Sequence, residues 1–243
     1  MTPSSSLISP VPQAINTCCR HLARQLSLLD ASDPKVAPSL SPGLIRRPGL
    51  RLRHWRGWLV EAPQPLPRLR DAVPWRQEAI TLWGRRHPLP RLTCWMADPG
   101  CSYRYSGLLQ VPEPWQPLLI RLRRRVEAEA GCRFNALLLN LYRDGHDRMG
   151  WHADDEPELD PTAPIASLSL GASRCFQLRS RQPVGGRRQT VGLDLGDGDL
   201  LVMDPPTQQH WLHQLPARRR LREPRLNLTF RWIGAPGSAG AAD

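Results

Sequence analysis

The stretch with the clearest chemical potential is Gly150-Trp151-His152-Ala153-Asp154-Asp155-Glu156. His152 and Asp154 stand two residues apart, so on an extended strand both side chains point to the same face. An imidazole beside a carboxylate supplies two ligands of a 2-His-1-carboxylate triad, which holds Fe(II) and leaves positions open for a co-substrate and O₂. The pair alone is weak evidence, because the acidic residues and the proline that follow it also fit a surface turn. A second histidine and an anion-binding strand downstream would favour the metal site.

Two histidines in Gln209-His210-Trp211-Leu212-His213 are candidates for the third ligand. We favour His213. His210 competes with it, and because the two are three residues apart they point to opposite faces of an extended segment. The chain has seven histidines, so one histidine near a strand end carries little weight by itself.

The last predicted strand contains Arg225-Leu226-Asn227-Leu228-Thr229-Phe230-Arg231-Trp232. A period of two places its polar residues on one face and its apolar residues on the other. The polar set is Arg225, Asn227, Thr229 and Arg231. A solvated face would also explain this set, but such a face seldom presents two arginines around two small hydrogen-bonding side chains. Fixed guanidiniums suit a short dicarboxylate, so we predict an anion site here.

The elements that must position these residues are mostly short strands. Pro117–Ala130 is the clearest helix, with an apolar side, an arginine-rich side and a stop at Gly131. After it the hydrophobic period changes to two. Strands are predicted at Phe134–Tyr142, Ile165–Leu170, Cys175–Leu178, Thr190–Leu195, Leu200–Met203, His210–Leu215 and Leu226–Ile233. Short strands separated by Gly- and Pro-bearing turns indicate a β-sandwich or barrel.

Composition points to an ordinary soluble chain with an anionic partner. Hydrophobic residues make up 40% and charged residues 23% of the 243, and no apolar run reaches the roughly 18 residues of a membrane span. The net charge is +11, and Lys35 is the only lysine among 33 lysines and arginines. Guanidinium grips phosphate bidentately, which favours a nucleic-acid partner. The six cysteines form no C-x-x-C pair, so we expect reduced thiols in the cytoplasm.

The chain is expected to hold one main domain, residues 50–234. Residues 1–49 are rich in Ser, Pro and Ala and are predicted to be a disordered extension. A transit peptide or a translation start assigned too far upstream would look similar. Residues 235–243 are predicted to be a short disordered tail.

Taken together, the motifs closely resemble the AlkB family of Fe(II)/2-oxoglutarate-dependent dioxygenases. The resemblance rests on His152-x-Asp154, His213, Arg225-x-Asn227-x-Thr229-x-Arg231 and the co-substrate motif Asn140-Leu141-Tyr142-x-x-Gly145. It runs from about Trp75 to Ile233, so the first 49 residues lie outside it. It is nearest the branch that repairs alkylated duplex DNA, whose Pro-Arg-x-Asn-Leu-Thr-Phe-Arg ending and His-Trp-x-His-x-Leu-Pro segment stand as they do here.

The resemblance implies a mostly β protein with flanking helices, built on a double-stranded β-helix (jelly-roll) dioxygenase core over residues 50–234. It implies iron ligands at His152, Asp154 and His213. The implied residues for 2-oxoglutarate are Arg225 and Tyr142 at the distal carboxylate, Asn227 and Thr229 close by, and Arg231 and Asn140 near the iron-proximal end.

The same resemblance implies a surface that takes a flipped base. Asp155 would contact the base, Trp83-Gly84-Arg85 would form the finger that fills the gap, and Tyr103-Arg104-Tyr105 would lie on a lid. Arg218-Arg219-Arg220 would form a basic loop gripping the DNA backbone. Two residues depart from the family pattern. Trp83 replaces the usual Phe, which puts the preference for single- or double-stranded DNA in doubt, and Ala153 replaces a bulkier residue.

The implied activity is oxidative demethylation of 1-methyladenine and 3-methylcytosine in duplex or single-stranded DNA. Fe(II) would be the metal cofactor. 2-Oxoglutarate and O₂ would be consumed, with release of succinate and formaldehyde. The base must be flipped out, and lesions that block pairing flip at lower cost. The alternatives are the same chemistry on RNA or on a protein methyl-lysine, or a non-catalytic jelly-roll binding module. We expect a monomer with no membrane partner, in the cytoplasm and associated with the nucleoid in a bacterium.

Overall fold

The computed structural model describes residues 35–36, 41–60, 65–82, 84–101, 103–105, 108–235 and 237–240; for 35–36, 82, 103–105 and 108–110 it describes the backbone alone. These elements lie in the unit formed by residues 34–243. The strands are β1 (Lys35–Val36), β2 (Gly43–Arg47), β3 (Leu50–Trp55), β4 (Leu59–Val60), β5 (Ala79–Leu82), β6 (Arg85–Pro88), β7 (Leu92–Ala97), β8 (Tyr103–Tyr105), β9 (Leu108–Gln110), β10 (Ala136–Tyr142), β11 (Met149–His152), β12 (Ile165–Gly171), β13 (Arg174–Ser180), β14 (Thr190–Leu195), β15 (Leu200–Met203), β16 (Trp211–Leu215) and β17 (Arg225–Arg231). The helices are α1 (Pro65–Ala72), α2 (Pro117–Ala130) and α3 (Thr207–His210).

Two antiparallel sheets form the core. The larger has the strand order β2-β3-β15-β12-β17-β10-β7 and the smaller has the order β11-β16-β13-β14. One apolar cluster fills the space between the two sheets, with Leu52 and Ile165 from the larger sheet and Leu178 from the smaller. A second cluster packs α1 and α2 against the outer face of the larger sheet. This arrangement confirms the predicted jelly-roll fold with flanking helices.

Helix α2 has the bounds that its sequence predicts. Pro117 opens it, and Gly131 ends it in the left-handed region at φ 68°, with its N–H donating to the carbonyl of Glu127. Arg53 of β3 donates to the last carbonyls, those of Glu129 (2.7 Å) and Ala130 (2.9 Å), and so satisfies the helix end from a distant strand. None of the helices in the described ranges is long and apolar enough to cross a bilayer.

Strand β17 is an interior strand of the larger sheet. It pairs with β10 on one side, with Tyr142 opposite Arg225, and with β12 on the other, with Ser169 opposite Asn227. All seven of its residues are buried. The polar face therefore points into the protein, and the solvated-face alternative is excluded.

The ordered region begins before residue 50, so the predicted boundary at residue 49 is too late. β2 pairs along its length with β3, and the indole N–H of Trp211 donates to the carbonyl of Pro48 (3.0 Å). β2 is an edge strand with no buried residue, so its sequence lacks the apolar alternation that signals a strand. Residues 1–34 and 37–40 lie outside the described residues, and their predicted disorder stays a prediction.

The C-terminal segment also differs from the predicted disordered tail. The indole N–H of Trp232 donates to the Ser238 hydroxyl (2.9 Å), the Gly237 N–H donates to Thr162 Oγ1 (3.0 Å), and Ala239 is buried. Trp232 is half-buried, and the hydrogen bond from its indole N–H holds residues 237–240 against the domain. Residues 236 and 241–243 lie outside the described part of the chain.

Candidate active site

The structure brings the three predicted metal ligands together. His152 ends β11 and lies opposite His213 of β16 in the sheet register, while Asp154 follows two residues after β11. One ligand atom from each lies within 4.8 Å of the others, and His152 Nε2 is 3.8 Å from Asp154 Oδ1. Two imidazoles and one carboxylate are a donor set that would hold Fe(II).

Hydrogen bonds fix the orientation of the ligands. His152 Nδ1–H donates to the carbonyl of Gly150 (2.8 Å), which leaves Nε2 with its lone pair toward the metal position. The backbone N–H of Asp154 donates to Gln208 Oε1 (3.1 Å). The Asp154 carboxylate accepts from Arg231 Nη2 at 2.7 Å.

Burial sets the charges that a metal needs. It lowers the pKa of His213 to about 3, so this imidazole is neutral at physiological pH and can offer a lone pair. Burial alone would raise the pKa of Asp154, but the Arg231 guanidinium outweighs it and holds the pKa well below its usual range. The site therefore presents a neutral histidine and an anionic carboxylate.

The competing histidine lies elsewhere. His210 ends α3 with an exposed side chain against the turn before β3. A Cβ added to Gly49 would lie 2.6 Å from the Cβ of His210, so the two residues are in close contact. Of the two candidates, the structure places His213 beside His152 and Asp154.

A cavity that is partly open to solvent lies beside the ligands. All six predicted co-substrate residues line it: Asn140, Tyr142, Arg225, Asn227, Thr229 and Arg231. The Arg231 end is the metal end, because Arg231 bonds to Asp154. Arg225 lies at the other end of the same strand face.

Arg225 carries a buried charge with unused hydrogen-bonding capacity. Its Nη2 donates to Ser169 Oγ (2.8 Å) and Asn227 Oδ1 (3.0 Å), but its Nε is buried without a partner among the described residues. Burial lowers its pKa to about 10, which still leaves it cationic. A buried cation with an orphan donor fits the carboxylate of a dicarboxylic acid. The residues present therefore fit 2-oxoglutarate as well as iron.

Sequence reasoning missed several residues that line this cavity or bond to its lining residues. Arg91 is buried and donates from Nε to Asn140 Oδ1 (2.9 Å), and Ser167 donates to Asn227 Oδ1 (2.9 Å). Asn227 in turn donates to Thr229 Oγ1 (2.7 Å). The two serines of β12, Ser167 and Ser169, alternate with leucines, and this period-two signal could have predicted a polar face. Arg91 carries no such signal.

Comparison with known proteins decides the family. The sequence profile described as "2OG-Fe(II) oxygenase superfamily" matches residues 54–231. The rat protein named alpha-ketoglutarate-dependent dioxygenase alkB homolog 3 is 41% identical over 237 residues, covering 89% of this chain and 78% of that protein. This chain belongs to the AlkB family. As a 2OG-Fe(II) oxygenase it takes Fe(II), 2-oxoglutarate and O₂.

Other relatives of this AlkB-family chain match over shorter stretches. The mouse and human proteins named DNA oxidative demethylase ALKBH2 are 48% and 44% identical over 158 residues, or 63% of this chain. The matched stretch spans 66% and 60% of their own lengths, which is less than two thirds. The solved structure of OsALKBH1 shares the fold, with a TM-score of 0.53 and 19% identity over 78% of this chain and all of that one.

Among the residues predicted to contact the damaged base and its neighbours, Asp155, Gly84 and Arg85 are described and do not line the cavity. Asp155 is exposed and pairs with Arg181, which also donates to the carbonyl of Gln208. Gly84 turns between β5 and β6 at φ 73°, and Arg85 is exposed at the start of β6. Trp83 lies outside the described residues. Tyr103, Arg104 and Tyr105 form β8, paired with β9, but their side chains lie outside the described part.

The predicted basic loop follows β16 and packs on the co-substrate motif of the AlkB family. Arg218, Arg219 and Arg220 are exposed there. The Arg218 N–H donates to the Gly145 carbonyl (2.7 Å), and the Gly145 N–H donates to the carbonyl of Leu221 (3.0 Å). A Cβ on Gly145 would lie 1.8 Å from the Arg218 carbonyl oxygen. The motif glycine is therefore explained by the close approach of this loop.

Proposed function

We propose that this AlkB-family oxygenase demethylates 1-methyladenine and 3-methylcytosine in DNA. The reaction is coupled to decarboxylation of 2-oxoglutarate to succinate and releases formaldehyde. The observation that carries the proposal is the convergence of His152, Asp154 and His213 at one end of a cavity whose other end holds Arg225 with an orphan donor. The names of the mouse and human relatives support DNA as the substrate.

The chemistry divides between the bound groups and the chain. Fe(II), with 2-oxoglutarate and O₂, supplies the oxidising power that hydroxylates the N-methyl group, after which the hydroxymethyl base loses formaldehyde. The chain holds the metal through His152, Asp154 and His213. Arg225 and Tyr142 hold the distal carboxylate of 2-oxoglutarate, and burial of this end excludes water. Fixing both groups before reaction removes the need for reorganisation when they meet.

Exposed charged side chains of the described residues suit a methylated base and its backbone. N1-methylation of adenine and N3-methylation of cytosine leave the base positively charged, and Asp155 offers an exposed carboxylate beside the metal ligand. The exposed guanidiniums of Arg85 and Arg218–Arg220 offer phosphate contacts that carry no sequence information. The net charge of +11 strengthens association and makes it salt-dependent.

The proposal also covers where and how the protein works. Cys94, Cys101, Cys132 and Cys175 are free thiols, which fits a reducing compartment. We take the protein to act as a monomer in the cytoplasm, on the nucleoid in a bacterial cell. RNA is the alternative substrate, because phosphate contacts alone do not separate the two polymers.

The test is turnover of the purified protein on a 1-methyladenine DNA oligonucleotide with Fe(II) and 2-oxoglutarate. We expect succinate, formaldehyde and repaired base in equal amounts, and none of them from His213→Ala. A methylated RNA of the same sequence and a methyl-lysine peptide serve as comparators. Turnover on either comparator with none on DNA would contradict the proposal.

A further inference from the structure

A buried guanidinium outside the predicted site residues lies behind Tyr142. Arg174, the first residue of β13, is 1% exposed, and no carboxylate of the described residues forms an ion pair with it. Its Nη1 donates to the carbonyl of Asp144 (3.2 Å), and its Nη2 donates to the carbonyls of Asp147 (2.9 Å) and Pro216 (2.7 Å). Burying a charge without an opposite charge is costly, and an apolar side chain of similar size would avoid that cost.

Arg174 shares the Tyr142 ring with Arg225. The guanidinium carbons of Arg174 and Arg225 lie 5.8 Å and 5.6 Å from the centre of this ring. Arg225 reaches it from β17, the cross-strand neighbour of Tyr142, whereas Arg174 reaches it from the smaller sheet. The two sheets thus bring two cations of like sign to one buried phenol.

The protein balances the charges at this end only in part: Asp147 attracts Arg174 from nearby, but its carboxylate is paired with Arg143. Burial lowers the pKa of both guanidiniums, and the neighbouring Arg174 adds to the fall at Arg225. Both stay protonated at neutral pH, so each destabilises the other in the empty protein. An anion bound at Arg225 would relieve this repulsion, which gives a dicarboxylate an advantage over an uncharged or singly charged analogue.

We propose that Arg174 is a positioning residue for the distal carboxylate of 2-oxoglutarate. It acts through Tyr142, whose ring it holds in place, and through the positive potential that it adds at the Arg225 end of the cavity. Because it reaches the co-substrate only through other groups, it selects for charge at that end without contacting the ligand. This inference rests on the proposed role of Arg225 and Tyr142.

Two variants separate the charge of Arg174 from its hydrogen bonds. Arg174→Gln removes the charge and keeps an amide that can still donate to the surrounding carbonyls. Arg174→Lys keeps the charge on a flexible stem. Arg123→Gln is the matched control, because Arg123 is also largely buried and hydrogen-bonded but lies on α2, paired with Asp98 and Glu127. Circular dichroism and thermal melting establish that each variant is folded.

The measurement is the dissociation constant for 2-oxoglutarate and for 2-oxopentanoate, taken by calorimetry on the Fe(II) protein without O₂. The two ligands differ by the distal carboxylate, which is a methyl group in 2-oxopentanoate. For Arg174→Gln we expect a loss of about tenfold or more for 2-oxoglutarate, corresponding to about 1.4 kcal/mol. Binding of 2-oxopentanoate should change by no more than about twofold, and Arg174→Lys should recover most of the selective loss.

The outcomes separate this inference from the proposed function. Equal losses on both ligands, or a Lys variant no better than the Gln variant, would overturn the role of Arg174 and leave the proposed function intact. A similar selective loss in Arg123→Gln would also overturn it. A wild-type protein that binds both ligands equally would instead refute the role of Arg225 and Tyr142, and the inference with it.

Discussion

Arg231 binds the outer oxygen of the Asp154 carboxylate and leaves the inner oxygen toward the histidines. Its Nη2 lies 2.7 Å and its Nε 3.2 Å from Asp154 Oδ2, while Oδ1 is the oxygen nearest His152. Both side chains are less than a tenth exposed. Arg231 therefore presents one carboxylate oxygen to the metal and keeps it charged. The resemblance implied that Arg231 lies near the iron-proximal end of 2-oxoglutarate. The structure adds a hydrogen bond from Arg231 to the metal ligand Asp154.

Arg231→Gln should weaken Fe(II) binding by about tenfold or more, the usual effect of removing a residue that orients a metal ligand. Arg225→Gln is the control, since it lies on the same strand face and is equally buried. It should spare metal binding and weaken 2-oxoglutarate binding instead. Calorimetric titration of each variant with metal and then with co-substrate gives both constants. Equal effects of the two substitutions on the metal would contradict this division.

Removal of any one ligand should abolish turnover and leave the fold largely intact. We expect this for His152→Ala, Asp154→Ala and His213→Ala, because each supplies one atom to the same coordination sphere. His210→Ala should be much milder, since His210 is exposed and packs on Gly49. Turnover and metal content measured together decide the assignment. An active His213→Ala beside an inactive His210→Ala would show that the third ligand is misassigned.

The sequence predicts those parts of the site that repeat at short, regular spacing. Helix α2 and the two faces of β17 follow from local periodicity, and both agree with the structure. Arg91 and Arg174 could not be predicted, because their partners lie 27 to 49 residues away and the contacts exist only after the sheets assemble. β2 was missed for the opposite reason: its pairing is backbone to backbone, and its side chains are solvent-facing.

Gly145→Ala should displace the basic loop. The added methyl would meet the Arg218 carbonyl at 1.8 Å, so the loop or the motif must shift, at a cost of about 1–3 kcal/mol in the free energy of unfolding. We expect a lower melting temperature and weaker binding of DNA. Gly43→Ala is the control, because its methyl would make an ordinary contact at 3.6 Å. A Gly145→Ala protein as stable as the Gly43→Ala protein would refute the steric explanation.

Trp83→Ala should slow repair of duplex DNA and spare single strands. An apolar wedge offsets the stacking lost when a base is flipped, whereas a core tryptophan matters on every substrate. A side chain at the tip of the β5–β6 hairpin, which has Gly84 in its turn and Arg85 exposed, is suitably placed for such a wedge. We expect about a tenfold loss on the annealed oligonucleotide, roughly 1.4 kcal/mol, and little change on the same strand alone. Equal losses on both, with a lowered melting temperature, would assign Trp83 to the core.

The Asp199 carboxylate should make the free energy of unfolding depend on pH in the acid range. Burial works against its charge, but hydrogen bonds from His54 and from the N–H groups of Gly196 and Gly57 outweigh it and hold the pKa below its usual range. The stabilisation is therefore complete above the unfolded-state pKa of 3.8 and is lost as pH falls through the lower folded-state pKa.

In urea unfolding at pH 7, the free energy of unfolding of Asp199→Asn should be about 1–3 kcal/mol lower than that of the wild type. The cost arises because buried donors lose a carboxylate acceptor. Asp71→Asn, on a surface carboxylate that is 72% exposed, should change little. The difference in the free energy of unfolding between wild type and Asp199→Asn should become smaller as the pH falls toward 3. A gap that stays constant over that range would contradict the role of the ionised carboxylate.

The late position of β17 in the sequence also orders events during synthesis. The metal ligands on β11, after β11 and on β16 are all made before β17, yet Arg231 and Arg225 arrive only with that last strand. A nascent chain that has emerged from the ribosome only as far as β16 contains the three metal ligands. It still lacks Arg231, which orients Asp154, and Arg225, the cation for the co-substrate. We therefore expect the nascent polypeptide to bind 2-oxoglutarate only after β17 has joined the larger sheet.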